Sequence, residues 1–162
     1  MKKDELMVLS QAILNEVEGY EFYKLAASGS KGESKDAFLQ LAEEERKHAE
    51  YLRDLSDKLT GSEDERLELA YELNPPSPDI YNWEKLDVNE ASMAMTVFSI
   101  GMQMEKDAID FYTKAMNDSE IDELKEIYRI LIKWEQVHLD QFTKQYNVYK
   151  NEWWAEQNFA PF

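Results

Sequence analysis

Cysteine is absent from the 162 residues of this chain. Its absence excludes disulfides, thiolate nucleophiles, iron–sulfur clusters and Cys-ligated zinc together. Only oxygen and imidazole ligands remain for a metal, a set that suits iron, manganese or zinc. Glycine (5) and proline (4) are scarce while hydrophobic residues reach 43%, which favours long helices over a turn-rich β fold. No segment approaches the ~20 apolar residues that a membrane span needs. Lys2-Lys3 runs straight into Asp4-Glu5 with no apolar stretch behind it, so no signal peptide is read and the cytoplasm is the expected location. Basic residues are few as well: 18 Lys and Arg against 34 Asp and Glu leave a net charge of −16. Such a surface repels nucleic acid and anionic lipid and concentrates cations. It serves solubility equally well.

Histidine is nearly missing too, with two copies. Each ends a Glu-x-x-His run, Glu45-Arg46-Lys47-His48 and Glu135-Gln136-Val137-His138, at an offset of 90 positions. A second pair of glutamates, Glu16 and Glu105, stands 89 apart, each followed seven residues later by Tyr23 or Tyr112. The chain is therefore read as an internal duplication, with halves at about 4–60 and 89–149.

Four segments carry helical periodicity, with seam residues recurring at alternating spacings of three and four. Leu6, Leu9, Ile13, Glu16, Tyr20 and Tyr23 mark the first segment (about 4–29), and Phe38, Leu41, Glu45, His48, Leu52, Leu55 and Leu59 the second (about 34–60). Met95, Phe98, Met102, Glu105, Ile109, Tyr112 and Met116 mark the third (about 89–117), and Leu124, Tyr128, Leu131, Glu135, His138 and Phe142 the fourth (about 119–149). Short gaps at Gly29–Gly32 and Asn117–Ser119 predict two antiparallel hairpins, with Ser119 and Asp122 as a capping pair. The stretch Gly61–Val88, with Pro75, Pro76 and Pro78, predicts a long crossover, and Glu63–Leu73 within it a short extra helix. The expected architecture is one all-α four-helix bundle over 1–150. A tail at 151–162 carries Trp153, Trp154, Phe159 and Phe162 and is expected to dock on the bundle or on a second copy in a homodimer.

Glu16, Glu45, His48, Glu105, Glu135 and His138 interrupt seams that otherwise hold apolar side chains. Burying four carboxylates uncompensated would cost several kcal/mol each or force their protonation. Two divalent cations would cancel four glutamates, with the histidines neutral. Residues at i and i+3 share a helix face, so each Glu-x-x-His can grip one metal, while Glu16 and Glu105 close or bridge the two sites. Tyr23 and Tyr112 either steady a carboxylate on a facing helix or simply fill the seam. Glu43, Glu44 and Glu50 are read as solvated, as are Glu18, Glu21, Asp107 and Asp110. Met93, Met95, Met102, Met104 and Met116 are read as core, and Trp134 as packing.

These motifs, Glu16-x6-Tyr23 with Leu41–His48 and their repeat Glu105-x6-Tyr112 with Glu135-x-x-His138, resemble the rubrerythrin-like branch of the ferritin-like di-iron superfamily over about 5–148. The resemblance implies a ferritin-like bundle in which the six residues ligate two irons about 3.5–4 Å apart. It implies a redox enzyme that oxidises ferrous iron or reduces peroxide or dioxygen in oxidative-stress defence or iron handling. Two departures qualify it. Full-length relatives carry a Cys-ligated iron module, so here electrons would come from a separate donor protein. The extra glutamate of the peroxidase members falls at Ala108, with Gly19 as its counterpart, which makes the site symmetric and closer to a ferroxidase centre. The competing class is a bundle stapled by zinc, or an interaction module. Oxygenation of a carbon substrate is a third and weaker option.

Overall fold

The computed structural model describes residues 3–59 and 91–157, and the protein is all-α. Four helices follow in order: α1 (Lys3–Ser28), α2 (Gly32–Leu59), α3 (Ala91–Asp118) and α4 (Asp122–Glu156). α1 packs along α2 and α3 along α4 as hairpins, and α1 meets α3 across the bundle. At 26 to 35 residues each, these helices span roughly 40–50 Å at 1.5 Å per residue. Acidic residues occupy the first turns of α1 (Asp4, Glu5) and α4 (Asp122, Glu123), where they complement the helix dipoles. The first turn closes at Gly32, whose φ of +56° is left-handed and would strain a larger residue. Among the described residues no helix is long and apolar enough to cross a membrane.

The cap between α3 and α4 differs from the expected pair. Ile121 is the N-cap of α4 and makes no side-chain cap bond. Ser119 Oγ instead accepts from the Ile121 amide at 3.1 Å and donates to Glu5 Oε1 at 3.0 Å, while the Glu120 amide donates to the same Glu5 oxygen at 3.0 Å. A carboxylate from the start of α1 thus satisfies this turn, a partner 114 positions away from Ser119 that no local motif signals.

Two apolar clusters, each drawn from all four helices, hold the bundle together. One gathers Leu9, Leu52, Leu55, Tyr112, Leu124 and Leu131; the other gathers Tyr23, Phe38, Leu41, Phe98, Phe142 and Tyr149. In α1 and α3 the inward face does not follow the large residues throughout. It runs Leu9, Ala12, Glu16, Gly19, Tyr23 in α1 and Ala94, Phe98, Gly101, Glu105, Tyr112 in α3, all buried, while Ile13, Tyr20, Met95, Met102, Ile109 and Met116 are only half-buried beside it. Small residues let these two helices approach closely, and both rows obey the same three-four spacing. Of the methionines expected in the core, the four with described side chains, Met95, Met102, Met104 and Met116, are half-buried beside it and do not form it.

α4 also outruns its expected end. No glycine or proline interrupts the chain between Phe142 and Glu156, so the helix continues through Trp153 and Trp154, which are half-buried and meet edge-to-face at 4.9 Å. The first part of the presumed tail is the last two turns of α4. The crossover at 61–88, the short helix expected at 63–73, and Phe159 and Phe162 lie outside the described residues.

Candidate metal centre

Between the two apolar clusters lies a polar layer to which every helix contributes. α1 supplies Glu16, α2 supplies Glu45 and His48, α3 supplies Glu105, and α4 supplies Glu135 and His138, each at most 4% exposed. His48 Nδ1 lies 3.2 Å from Glu16 Oε2, 3.7 Å from Glu45 Oε2 and 4.0 Å from Glu135 Oε1. His138 Nδ1 lies 3.3 Å from Glu135 Oε2, 3.4 Å from Glu45 Oε1 and 3.5 Å from Glu105 Oε1. Ligand atoms of Glu16, Glu45, His48 and Glu135 fall within 4.8 Å of one another, as do those of Glu45, Glu105, Glu135 and His138. The six residues form two overlapping groups, and Glu45 and Glu135 belong to both. Glu16 and Glu105 each belong to one group, so the shared carboxylates are those of the Glu-x-x-His runs.

The tyrosines cross between halves. Tyr23 of α1 donates its hydroxyl to Glu105 of α3, and Tyr112 of α3 donates to Glu16 of α1. Burial pushes both phenols well above their usual range, with Glu105 the next cause at Tyr23 and Glu16 at Tyr112, so each remains a donor. Each steadies one unshared carboxylate.

Without a metal the layer is balanced by protons. Burial, then the charges of Glu135 and Glu16, push the Glu45 carboxyl well above the ordinary carboxylate range. Burial, then Glu105, does the same to Glu135. Burial alone would raise Glu16 as well, but hydrogen bonds from Glu45, His48 and Tyr112 hold it down to about 2. Glu105 is likewise lowered against its burial, chiefly by Glu135 and His138. Burial disfavours a charged His138, yet Glu105, Glu135 and Glu44 together raise it well above the usual histidine range. The pattern is two acid–carboxylate pairs and an imidazolium, each holding a proton where a cation would sit.

Four atoms of this layer are buried with no hydrogen-bond partner among the described residues: Glu45 Oε1, His48 Nε2, Glu135 Oε1 and His138 Nδ1. Unmet buried polar atoms are costly. Three of the four face the other ligands, and oxygen and imidazole donors match the preferences of iron, manganese and zinc. The residues fit a pair of divalent cations.

Glu43 and Glu50 lie at the surface, paired with Arg46. Glu44 does not share their fate: it is buried, and its Oε2 lies 3.0 Å from His138 Nε2. The spacing Leu41, Glu44, His48 satisfies the three-four rule as well as Leu41, Glu45, His48 does, so the inward face of α2 is wide enough for both glutamates. Trp134, the residue before Glu135, stacks on His48 at 4.8 Å and 23°. Periodicity does not single out Gly19 as a contact of the site, yet a Cβ there would lie 3.3 Å from Glu45 Cγ and Cδ.

Residues 7–146 match the rubrerythrin family, a span covering most of the chain, so this chain belongs to that family of ferritin-like di-iron carboxylate proteins. Compared with curated proteins and with solved structures, the chain has no significant match in either set.

Proposed function

We propose that this chain is a non-haem di-iron oxidoreductase that oxidises ferrous iron, or reduces hydrogen peroxide or dioxygen, at a four-glutamate, two-histidine centre. The observation that carries the proposal is the pair of overlapping ligand groups joined through Glu45 and Glu135. Glu45 and Glu135 would then serve both cations, and a pair of metals would supply two-electron redox chemistry at one site. Two ferrous ions supply two electrons, enough to convert H2O2 and two protons into two waters.

The protein's own contribution is to hold, orient and limit access. Glu16 with His48, and Glu105 with His138, would each complete one position, and Tyr112 and Tyr23 keep the two unshared carboxylates from rotating. A cavity of about 30 Å³ lined by Gly19, Tyr23, Met104, Ala108 and the four glutamates lies against the layer. A space of this size suits a small oxidant such as peroxide or dioxygen. With no cysteine in the chain, reducing electrons would come from a separate donor protein or from ferrous iron itself.

Anaerobic titration of the metal-free protein with Fe²⁺ should saturate at two ions per chain. A pulse of peroxide or air should then develop ferric absorption in the near ultraviolet. Comparing the two oxidants' rates chooses between peroxidase and ferroxidase activity. Two zinc ions bound with no uptake of iron, or iron bound without oxidation by either oxidant, would make the centre a structural staple.

Gly19 offers a finer check. An added methyl group would press on the shared Glu45 side chain, which must yield by a few tenths of an ångström. Gly19→Ala gains up to about 1 kcal/mol of helix propensity. The melting temperature of the metal-free protein should therefore hold or rise. Metal affinity should fall by about tenfold, the lower end for disturbing a ligand's support.

A further inference from the structure

The two halves repeat their ligands but not the residue beside them. Glu44 precedes Glu45; the matching residue before Glu135 is Trp134. Each reaches across the bundle to the other half's histidine, and they do opposite things there. Glu44 Oε2 lies 3.0 Å from His138 Nε2, on the side of the ring turned away from Glu45, Glu105 and Glu135. Trp134 lays its ring over His48 at 4.8 Å and gives the outer nitrogen nothing to bond. Among the described residues His48 Nε2 is buried with no hydrogen-bond partner.

We propose that the two metal positions are inequivalent: Glu44 orients His138 to form the tight position, and His48, stacked on Trp134 with no acceptor among the described residues, forms the weaker, exchangeable one. The inference rests on the di-metal reading above and deepens it. A histidine binds a metal through one nitrogen only when the other carries the proton. A carboxylate facing that second nitrogen fixes the tautomer, locks the ring plane and makes the ligand more basic. Among the described residues His138 has this support and His48 lacks it. Loss of such a partner typically weakens metal binding 10–100-fold, so a gap of about that size should separate the positions. Glu44 is a positioning residue, since it touches the histidine and not the reacting atoms. Repeated ligands with unlike supports would let one cation stay as a resident while the other is delivered and released.

Anaerobic titration of the metal-free full chain with Co²⁺, followed by calorimetry and by tryptophan fluorescence, tests this. Wild type should bind in two steps, and the indole stacked on His48 should respond in the second, a signal that Trp134→Phe removes. Two steps alone would also follow from repulsion between the cations, so the Glu44 variants decide. Glu44→Ala should weaken the first step about 10–100-fold and leave the second where it was. Glu44→Gln, whose amide oxygen still accepts from His138, should recover part of the loss and guards against a folding defect in the alanine variant. Two equal steps in wild type, a Trp134 response in the first step, or a Glu44→Ala effect spread over both steps or absent would overturn the inequivalence while leaving the di-metal centre standing. Failure of wild type to bind Co²⁺, Zn²⁺ or Fe²⁺ would instead remove the di-metal reading itself.

Discussion

A chain carrying Glu45→Gln and Glu135→Gln should hold no stoichiometric metal and yet, at pH 8, melt above the metal-free wild type. The two shared carboxyls are raised well above the ordinary range, by burial first and neighbouring carboxylates second. The folded chain therefore keeps protons that the unfolded chain gives up near the usual glutamate value of about 4.3. Such groups stabilise nothing as pH rises: above that value, each unit of pH costs folding about 1.4 kcal/mol per retained proton until the folded group itself titrates. His138 acts in the same direction. Its raised value makes its contribution complete below about 6.5, and that contribution is lost as pH rises through the folded value. Glu16 runs the opposite way, because a carboxyl held at about 2 contributes above the usual value and loses its contribution only in acid. From pH 5 to pH 8 the metal-free wild type should consequently lose melting temperature steadily. Glutamine keeps an N–H to offer Glu16 or Glu105 but has no proton to lose, so the variant's curve should be flatter. Metal replaces the same protons, so the thermal shift it gives wild type should grow with pH. Melting curves of both chains, with and without Zn²⁺, across this range provide the check. A flat or rising curve for metal-free wild type, or metal retained by the variant, would contradict the proton-balanced layer.

Phe142→Ala should be the most damaging single change in the apolar interior, costing about 3–5 kcal/mol. The ring is buried, lies 5.7 Å from Tyr23 and 5.9 Å from Phe98, and fills the space that Gly101 leaves open on α3. Such a loss is comparable with the whole stability of many domains. The effect should reach the polar layer, because Tyr23 donates to Glu105 and would lose the wall that holds its ring. Urea unfolding of the metal-free chain gives the first number and a metal titration the second. A loss below about 1 kcal/mol would mean that the cluster repacks around the gap.

Much of this arrangement was legible in the chain because duplication and helical spacing select the same six residues. Four helices in two hairpins follow from the same periodicity, and the family match over residues 7–146 agrees with the motif resemblance. What escaped was set by contacts between helices. Ala12, Gly101 and Gly19 carry no apolar signal, yet they decide which side of α1 and α3 faces inward. Glu44 looks like its exposed neighbours Glu43 and Glu50 until α4 is in place to offer His138. Glu5 caps a turn more than a hundred positions away, and nothing near Ser119 announces it. A run of aromatic residues resembles a loose tail when no helix breaker marks the boundary, so the sequence places the end of α4 at 149 and the helix runs on to Glu156.

The shared carboxylates have a bearing on how this chain is made. Both ligand groups need Glu135, which lies on the last helix, and both need Glu45 from the second. During synthesis neither group can close until α4 has been released and has docked against α2. A growing or truncated chain displays glutamates and a histidine but no complete cage, so it has little with which to capture ferrous iron. Under the proposed function this order would keep a redox-active ion away from a half-folded chain, and a bound metal pair would report that α4 has docked.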